Sequence, residues 1–258
     1  MSSKNNLTSG LSGRDHYAKK FSDDLDFESE WLRRTASPKA DSIEYLVDES
    51  DAKHDSIIEI GAGTGAVIGE LRRRGFGSRH YAVDYSEEAI EVIRRTHPGV
   101  MTAIADVTDN PDPFGEGPYD IAFASHVVEH LEAPQLFLER LLDIPVSYLI
   151  VEVPLEDLFF GKIKSKINDR SQHPAGHVQF FSKSSFMNLV RQSGWTVESE
   201  RIYLDPLDVD SFNFIYGNSS AKKRAFKTMT ERVLPYALNR IWIKMYHAHC
   251  AVLCSRSQ

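Results

Sequence analysis

The sequence lacks the features that would direct it out of the cytoplasm or into a membrane. Cys250 and Cys254 are its only cysteines, and on a segment that reads as a strand their spacing fits neither a metal site nor a clear disulfide. We predict two buried, unpaired thiols. No apolar run is long enough to cross a bilayer, and the polar residues 1–13 contain no signal-peptide core. We therefore expect a cytoplasmic protein with a disordered N-terminal tail.

A surplus of positive charge is also missing. The chain has 30 Lys and Arg against 37 Asp and Glu, a formal net charge of −7. Proteins that bind a phosphate backbone carry excess basic residues, so we expect no nucleic-acid partner. The average hides one basic stretch at 222–244, where seven basic residues accompany the single acid Glu231. The basic residues are Lys222, Lys223, Arg224, Lys227, Arg232, Arg240 and Lys244.

The sequence does contain enough apolar residues for one sizeable domain, at 41% of 258 residues. From Ser56 onward, short apolar runs alternate with amphipathic helical stretches, which is typical of a parallel sheet covered by helices. The pattern predicts an α/β fold with a doubly wound, seven-stranded, mostly parallel sheet. The predicted strands are Ser56–Ile60, His80–Val83, Val100–Ala105, Tyr119–Ala124, Tyr148–Val153, Thr196–Tyr203 and His249–Ser255. The predicted core helices are Val67–Arg74, Glu87–His97, Pro134–Leu142 and Ser184–Ser193.

The same pattern divides the chain into regions. Residues 14–50 form an N-terminal helical lid that Pro38 splits into at least two pieces. Residues 51–205 form the ligand-binding core, which includes a polar insert at 157–176. A helical cap at 206–247, divided by Pro235 into two helices, is inserted before the last strand at 248–258.

A glycine-rich turn follows the first predicted strand. Glu59 lies near the end of that strand, and Gly61, Gly63 and Gly65 lead directly into a helix. Glycines permit positive φ and close approach of a ligand, while the helix N-terminus offers unpaired N–H groups. The turn predicts a nucleotide site. It does not choose the nucleotide, because with Ala66 it also matches the dinucleotide fingerprint of an NAD-dependent dehydrogenase.

Three carboxylates distinguish the possible ligands. Glu59 can bind the ammonium group of an amino-acid moiety, whereas it would repel a pyrophosphate. Asp84 ends the second predicted strand, where a carboxylate accepts hydrogen bonds from ribose hydroxyls. It would serve a dinucleotide and any other nucleoside-containing cofactor equally. Asp106 follows the third strand and can accept a hydrogen bond from the exocyclic amine of adenine.

This ordered set, followed by the segment Tyr119–Leu131 (YDIAFASHVVEHL), resembles the small-molecule branch of class I S-adenosylmethionine-dependent methyltransferases. That branch includes ubiquinone-biosynthesis and antibiotic-sugar enzymes, and the resemblance spans roughly residues 55–200. It implies a Rossmann-like methyltransferase fold with an antiparallel last strand, S-adenosylmethionine as the cofactor of the core, and a small-molecule methyl acceptor. The cofactor-binding residues that it implies are Glu59, Gly61, Ala62, Gly63, Gly65, Asp84, Tyr85, Asp106, Val107, Ser125 and His126, with Tyr17 closing over the cofactor.

Methyl transfer to a hydroxyl also needs a group that removes the proton. The candidate bases are His126, His130, His173 and His177, and we predict His177 and His130 as the catalytic pair. The alternatives are structural. His130 belongs to a Glu-His-Leu element that is widespread in related families with different acceptors, and His177 can pin its loop by hydrogen bonding to the backbone.

Absent motifs narrow the chemistry further. After the fourth strand comes Ser125-His126, without the Asn/Asp-Pro-Pro-Tyr/Phe signature of amide and adenine methylation. The fifth strand ends at Val153-Pro154, without the acid and amide that catechol-type enzymes use for magnesium. We therefore expect metal-independent O-methylation, with no metal site.

Two further alternatives concern what the chain binds. Residues 222–244 interleave basic and apolar side chains and could lie on an anionic membrane and present a lipid-linked acceptor. We prefer a pair of cap helices whose apolar side packs on the core or on a partner subunit. The second alternative is a non-catalytic module that keeps the cofactor site for binding or interaction, since a fold does not establish turnover.

Overall fold

A computed structural model describes residues 13–159, 161, 173, 175–246 and 248–257, with side chains from residue 24 onward. Its strands are β1 Ser56–Ile60, β2 Arg79–Asp84, β3 Met101–Ile104, β4 Tyr119–Ser125, β5 Val146–Leu155, β6 Trp195–Tyr203 and β7 Ala248–Arg256. Its α-helices are α1 Gly13–Arg34, α2 Ala36–Asp48, α3 Ala66–Arg74, α4 Glu87–Thr96, α5 Pro134–Arg140, α6 Lys183–Gln192, α7 Val209–Tyr216, α8 Ala221–Thr228, α9 Leu234–Ala237 and α10 Asn239–Met245. Short 3₁₀ turns at Val128–His130 and Leu141–Asp143 and a π turn at Met229–Val233 complete them.

The seven strands form a single sheet in the order β3-β2-β1-β4-β5-β7-β6. Strands β1 to β5 pair in parallel, and β7 pairs antiparallel with both β5 and β6. The chain runs outward from β1 to β3 and then returns to place β4 on the other side of β1. This reversal is the switch point at which doubly wound sheets bind ligands at the carboxyl ends of their strands. The predicted fold class and the antiparallel last strand are confirmed.

Both faces of the sheet are covered, so its central strands are apolar on both sides. In β1, Ile57 packs with Ile68 and other side chains of α2, α3 and α4 on one face. Ile58 packs on the opposite face with Leu138 and Trp195. Five consecutive buried residues in β1 therefore follow from the sheet's position between two helical layers.

The predicted strands and core helices are all present, and their ends agree with the prediction within two residues. Ser86 caps α4 by accepting a hydrogen bond from the Ala89 N–H, as its position before two glutamates suggests. The N-terminal helices break at Thr35, and Pro38 lies in the first turn of α2. Cys250 and Cys254 are fully buried in β7 and unpaired.

One expectation about the chain between β6 and β7 was wrong. The predicted pair of cap helices is a series of four, α7 to α10, because the chain also breaks at Gly217 and at Leu238, whereas Pro235 lies within the first turn of α9. The apolar side of the basic stretch does not pack on the core as a whole, although Trp242 is buried. Six large apolar side chains of the basic stretch are more than two-fifths exposed: Phe226, Met229, Val233, Tyr236, Leu238 and Ile241.

Some expectations fall on residues that the structure does not describe. They are all but the last residue of the predicted tail at 1–13 and most of the polar insert at 157–176. Within the described part of the chain, no helix is both long enough and apolar enough to cross a membrane.

Candidate active site

The glycine turn after β1 has the backbone conformation that its sequence predicts. Gly61 has a φ of 66°, and its N–H donates to the Val83 carbonyl at 2.9 Å, which joins the turn to β2. A Cβ atom on Gly61 would lie 2.6 Å from Val127 Cγ2, closer than real Cβ contacts allow. Gly65, at a φ of 73°, begins α3. The turn therefore needs glycine for conformation and for close packing.

Two strand-end carboxylates hold the neighbouring loops. Asp84 Oδ2 accepts the Gly63 N–H at 2.8 Å, and its Oδ1 accepts the Ser86 N–H at 2.9 Å. Asp106 Oδ1 accepts both the N–H and the hydroxyl of Thr108, at 3.0 and 2.7 Å. Each carboxylate fixes the turn after its own strand, and a carboxylate has lone pairs for further donors.

A cavity of about 430 Å³ opens above these strand ends. This volume falls within the roughly 300–1,000 Å³ of small-molecule sites. The predicted cofactor residues in its wall are Glu59, Gly61, Ala62, Gly63, Asp84, Tyr85, Asp106, Val107, Ser125 and His126. Gly65 is not part of the wall and serves the helix start instead. The side chain of Tyr17 lies outside the described residues.

The cavity wall contains a buried acid and a buried base. Glu59 is 3% exposed, and its Oε2 accepts the Ile68 N–H of α3 at 3.0 Å. Burial raises the pKa of Glu59 to about 8, against the opposing effects of this hydrogen bond and of Lys39. Lys39 of α2 is 7% exposed, lines the cavity, and makes no ion pair within the described part of the chain. Sequence reasoning missed Lys39, because nothing in the spacing of α2 indicates that it points toward the sheet.

Two histidines also line the cavity. His126, at the end of β4, has a left-handed φ of 58° and lines the cavity with His130. His177 is not in the wall, but its ring centroid lies 4.8 Å from that of His130. The 177 loop is held in place because the Val178 and Gln179 N–H groups both donate to the Glu129 carbonyl at 2.9 Å. The two histidines of the predicted catalytic pair therefore lie side by side, with His130 in the cavity wall and His177 behind it.

The ionisation states of Glu129, His126 and His130 depend strongly on one another. Burial disfavours ionisation of Glu129, yet the adjacent His126 reverses this and brings the pKa of Glu129 down to about 2. Burial and Lys39 oppose protonation of His126, but Glu129 and Glu152 raise its pKa. Burial lowers the pKa of His130 to about 4 in spite of Glu129.

A polar group from β5, β6 and β7 lies behind His126 and was not anticipated. His126 Nε2 lies 3.3 Å from Glu152 Oε1 and 3.0 Å from His249 Nδ1. The Tyr203 hydroxyl donates to Glu152 Oε1 at 2.8 Å. Burial raises the pKa of the nearby Asp205 to about 6. The signal in the sequence was a glutamate and a histidine inside otherwise apolar strands, where charged residues are rare unless paired.

Comparison with known proteins agrees with this site. A family model described as a methyltransferase domain matches residues 29–200, about two-thirds of the chain. A search of curated proteins found no match. Three solved structures share the fold, at sequence identities too low to transfer a substrate.

The first is an S-adenosylmethionine-dependent methyltransferase from Thermotoga maritima, at 16% identity and a TM-score of 0.58, with 92% of this chain and 97% of that chain covered. The second is the magnesium protoporphyrin IX methyltransferase from Synechocystis with bound S-adenosylhomocysteine, at 12% identity and 0.58, covering 95% and 100%. The third is phosphoethanolamine N-methyltransferase 2 from Haemonchus contortus with S-adenosylmethionine, at 12% and 0.60, covering 96% and 60%.

The chain belongs to the methyltransferase domain family. It is an S-adenosylmethionine-dependent class I methyltransferase with a Rossmann-like sheet. The side chains of the cavity fit that cofactor. Lys39 and Glu59 complement the carboxylate and ammonium of an amino acid, and Asp84 and Asp106 offer acceptors for ribose and adenine. Glu59 beside the glycine turn does not suit the pyrophosphate of a dinucleotide, so the dehydrogenase alternative is abandoned.

Proposed function

We propose that the enzyme methylates an oxygen atom of a small molecule that binds beside His126 and His130. The observation that carries this proposal is the composition of one cavity wall. It contains both the carboxylates Glu59, Asp84 and Asp106 and the imidazoles of His126 and His130. The cofactor, when bound, supplies an electrophilic methyl group on sulfur. The protein's task is then to align the acceptor and to take up its proton.

Individual roles follow from position. Lys39 and Glu59 bind the amino-acid moiety of the cofactor, Asp84 and Tyr85 its ribose, and Asp106 and Val107 its adenine. His130, in the wall, contacts the acceptor. His177 acts through His130 as a positioning residue, because its Nδ1–H donates to Glu156 and its ring lies behind the wall.

Methyl transfer to paired acceptors tests the proposal. The enzyme is incubated with methyl-labelled S-adenosylmethionine and with small molecules that differ only in carrying a hydroxyl or an amine. We expect label on the hydroxyl member of at least one pair. Label on amines alone would overturn the oxygen preference, and label that extracts only with lipids would overturn the small-molecule acceptor.

Metal independence is not part of this proposal. That expectation depended on the missing acid and amide after β5, but the structure brings together other ligand types beside the cavity: Glu129, His130 and His177.

A lipid-linked acceptor is a second candidate, and one observation favours it. The cap stretch, residues 222–244, combines a sequence charge of +6 with exposed Phe226, Met229, Val233, Tyr236, Leu238 and Ile241. Amphipathic helices that lie in a membrane interface have this combination of basic and bulky apolar side chains. Packing on a partner subunit would cover the same side chains.

A further inference from the structure

The turn after β4 places one buried carboxylate among imidazoles. Glu129 is fully buried, and neither of its carboxylate oxygens accepts a hydrogen bond in the described part of the chain. His126 Nδ1 lies 3.0 Å from Glu129 Oε1, and His130 Nε2 lies 3.8 Å from the same oxygen. Ligand atoms of Glu129, His130 and His177 all lie within 4.8 Å of one another. A buried carboxylate in this setting needs a compensating positive charge.

Outer contacts orient two of these rings. His130 Nδ1–H donates to the Gly176 carbonyl at 3.2 Å. His177 Nδ1–H donates to Glu156 Oε2 at 2.5 Å. A neutral imidazole carries a single N–H, so each ring presents Nε2 as an unprotonated acceptor. Metal-binding histidines are held in this way, by a carbonyl or carboxylate on the nitrogen that does not bind the metal.

His126 contacts the same carboxylate without joining the set. Its Nε2 is directed at Glu152 and His249, and its Nδ1 lies 3.0 Å from Glu129 Oε1. The Nε2 lone pairs of His130 and His177 and the Glu129 carboxylate remain close together. Acceptors that lie this close repel unless a cation lies between them.

We propose that Glu129, His130 and His177 bind one divalent first-row transition ion. Ligands about 2.1 Å from such an ion are about 3.0 Å apart in octahedral and about 3.4 Å apart in tetrahedral geometry. The 3.8 Å contact between His130 Nε2 and Glu129 Oε1 is slightly longer than this range. Two imidazoles and one carboxylate favour Zn²⁺, Fe²⁺, Co²⁺ or Ni²⁺ over Mg²⁺ or Ca²⁺, which prefer oxygen ligands.

Two neighbouring groups of ligand type fit an ion less well. In the group His126, Glu152 and His249, the Glu152 oxygen that faces the rings already accepts the Tyr203 hydroxyl. In the group Glu156, His173 and His177, the Glu156 carboxylate is already paired with both rings. Glu129 is the carboxylate of the three groups whose two oxygens both accept no hydrogen bond.

The site adjoins the cavity, because His130 belongs to its wall. An ion held there would bind an acceptor oxygen directly and lower the pKa of its hydroxyl. This role rests on the proposed O-methylation, whereas ion binding itself does not.

Cobalt binding tests the site without an acceptor. The full-length chain is stripped with a chelator and titrated with Co²⁺, and bound metal is followed by visible absorption and counted by elemental analysis. We expect one Co²⁺ per chain, displaced by Zn²⁺. Glu129→Gln and His177→Ala should abolish the absorption. Glu156→Gln, which removes an outer partner, should weaken Co²⁺ binding by about 10- to 100-fold.

Matched histidine variants serve as controls. His54→Ala changes an exposed histidine that stacks on Phe76, and His249→Ala changes the rival group; both should retain Co²⁺. Binding of S-adenosylhomocysteine by each variant shows that it is folded. The proposal fails if the wild-type chain binds no Co²⁺, which would leave protons as the compensating charge. It fails equally if Glu129→Gln binds Co²⁺ as tightly as wild type. Methyl transfer to a hydroxyl by the metal-free enzyme would remove the ion's role but keep the proposed function.

Discussion

The Asp84 carboxylate at the end of β2 accepts the backbone N–H of Gly63 at 2.8 Å, which ties the second strand to the turn after the first. Its other oxygen accepts the Ser86 N–H that precedes α4. One side chain therefore fixes two loops of the cavity wall. Cofactor affinity and loop geometry depend on the same carboxylate.

Replacing Asp84 with Asn should weaken both. The amide presents one oxygen where two were used, so a buried backbone N–H loses its acceptor, at a cost of about 1–3 kcal/mol in unfolding free energy. We expect S-adenosylhomocysteine affinity to fall at least tenfold in isothermal titration. Asp55→Asn, at an exposed carboxylate before β1, is the control and should leave affinity unchanged. Equal affinities in the two variants would mean that Asp84 does not contact the cofactor.

The raised pKa of Glu59 predicts that cofactor binding is accompanied by release of a proton. Its pKa of about 8 means that the carboxyl group is mainly protonated at pH 7 without ligand. The cofactor's ammonium group favours the ionised form, so binding at pH 7 should release a proton. Titrations of S-adenosylhomocysteine in buffers of different ionisation enthalpy measure this release. Glu59→Gln should abolish it, and an unchanged value would contradict the assignment of Glu59 to the ammonium group.

The same group predicts how the stability of the ligand-free protein changes with pH. Because its pKa is higher in the folded chain than the ordinary value of 4.5, its contribution is complete below pH 4.5 and is lost as pH rises to about 8. Within that window the free energy of unfolding should fall from this source by up to about 1.4 kcal/mol per pH unit. The amide of Glu59→Gln resembles the protonated carboxyl group and does not titrate. Urea denaturation across the window should therefore show wild type losing stability relative to Glu59→Gln as pH rises.

Lys39→Met should separate binding from stability. Loss of the ammonium removes a charged hydrogen bond to the cofactor carboxylate, worth about 1.5–3 kcal/mol, or roughly 10- to 100-fold in affinity. Without ligand, removing a buried cation that has no ion pair should not lower the free energy of unfolding. Lys53→Met, at an exposed lysine, is the matched control. Unchanged affinity in Lys39→Met would exclude Lys39 from the cofactor site.

The cap stretch predicts a test for membrane contact. If it lies on an anionic surface, the protein should float with vesicles that contain phosphatidylglycerol and remain at the bottom with phosphatidylcholine alone. Phe226→Ser should then reduce vesicle binding by roughly tenfold, the equivalent of about 1.5 kcal/mol of apolar burial. Val209→Ser changes a similarly exposed residue outside the stretch and should have no effect. Failure of the wild type to float on either vesicle would end the lipid candidate.

The sheet and the glycine turn with its neighbouring carboxylates were predictable because their signals in the sequence are local. Apolar runs mark β1 to β7, and the glycine turn and strand-end carboxylates lie at fixed positions relative to them. The register of a parallel sheet then brings Glu59, Asp84 and Asp106 to one edge without further information.

The cluster of histidines and glutamates around His126 was less predictable because it is assembled from distant segments of the chain. His126 meets His249 across 123 residues of sequence, and Lys39 reaches the cavity from α2. In the sequence, Glu129 is part of the Glu-His-Leu element that is common in related families. The structure adds that its carboxylate is buried among imidazoles. The cap was predicted wrongly because its breaks at Gly217 and Leu238 depend on packing rather than on proline.

The strand order also determines when the sheet can be completed during synthesis. Strand β6 is an edge strand whose sheet partner is β7, and β7 is made only after all four cap helices. Until Ala248–Arg256 emerges, β6 has no partner and β5 presents an open apolar edge, a state in which chains tend to associate wrongly. A ribosome that stops within the cap would thus release a chain with an incomplete sheet. The sheet can close only when the nine residues of β7 have been made.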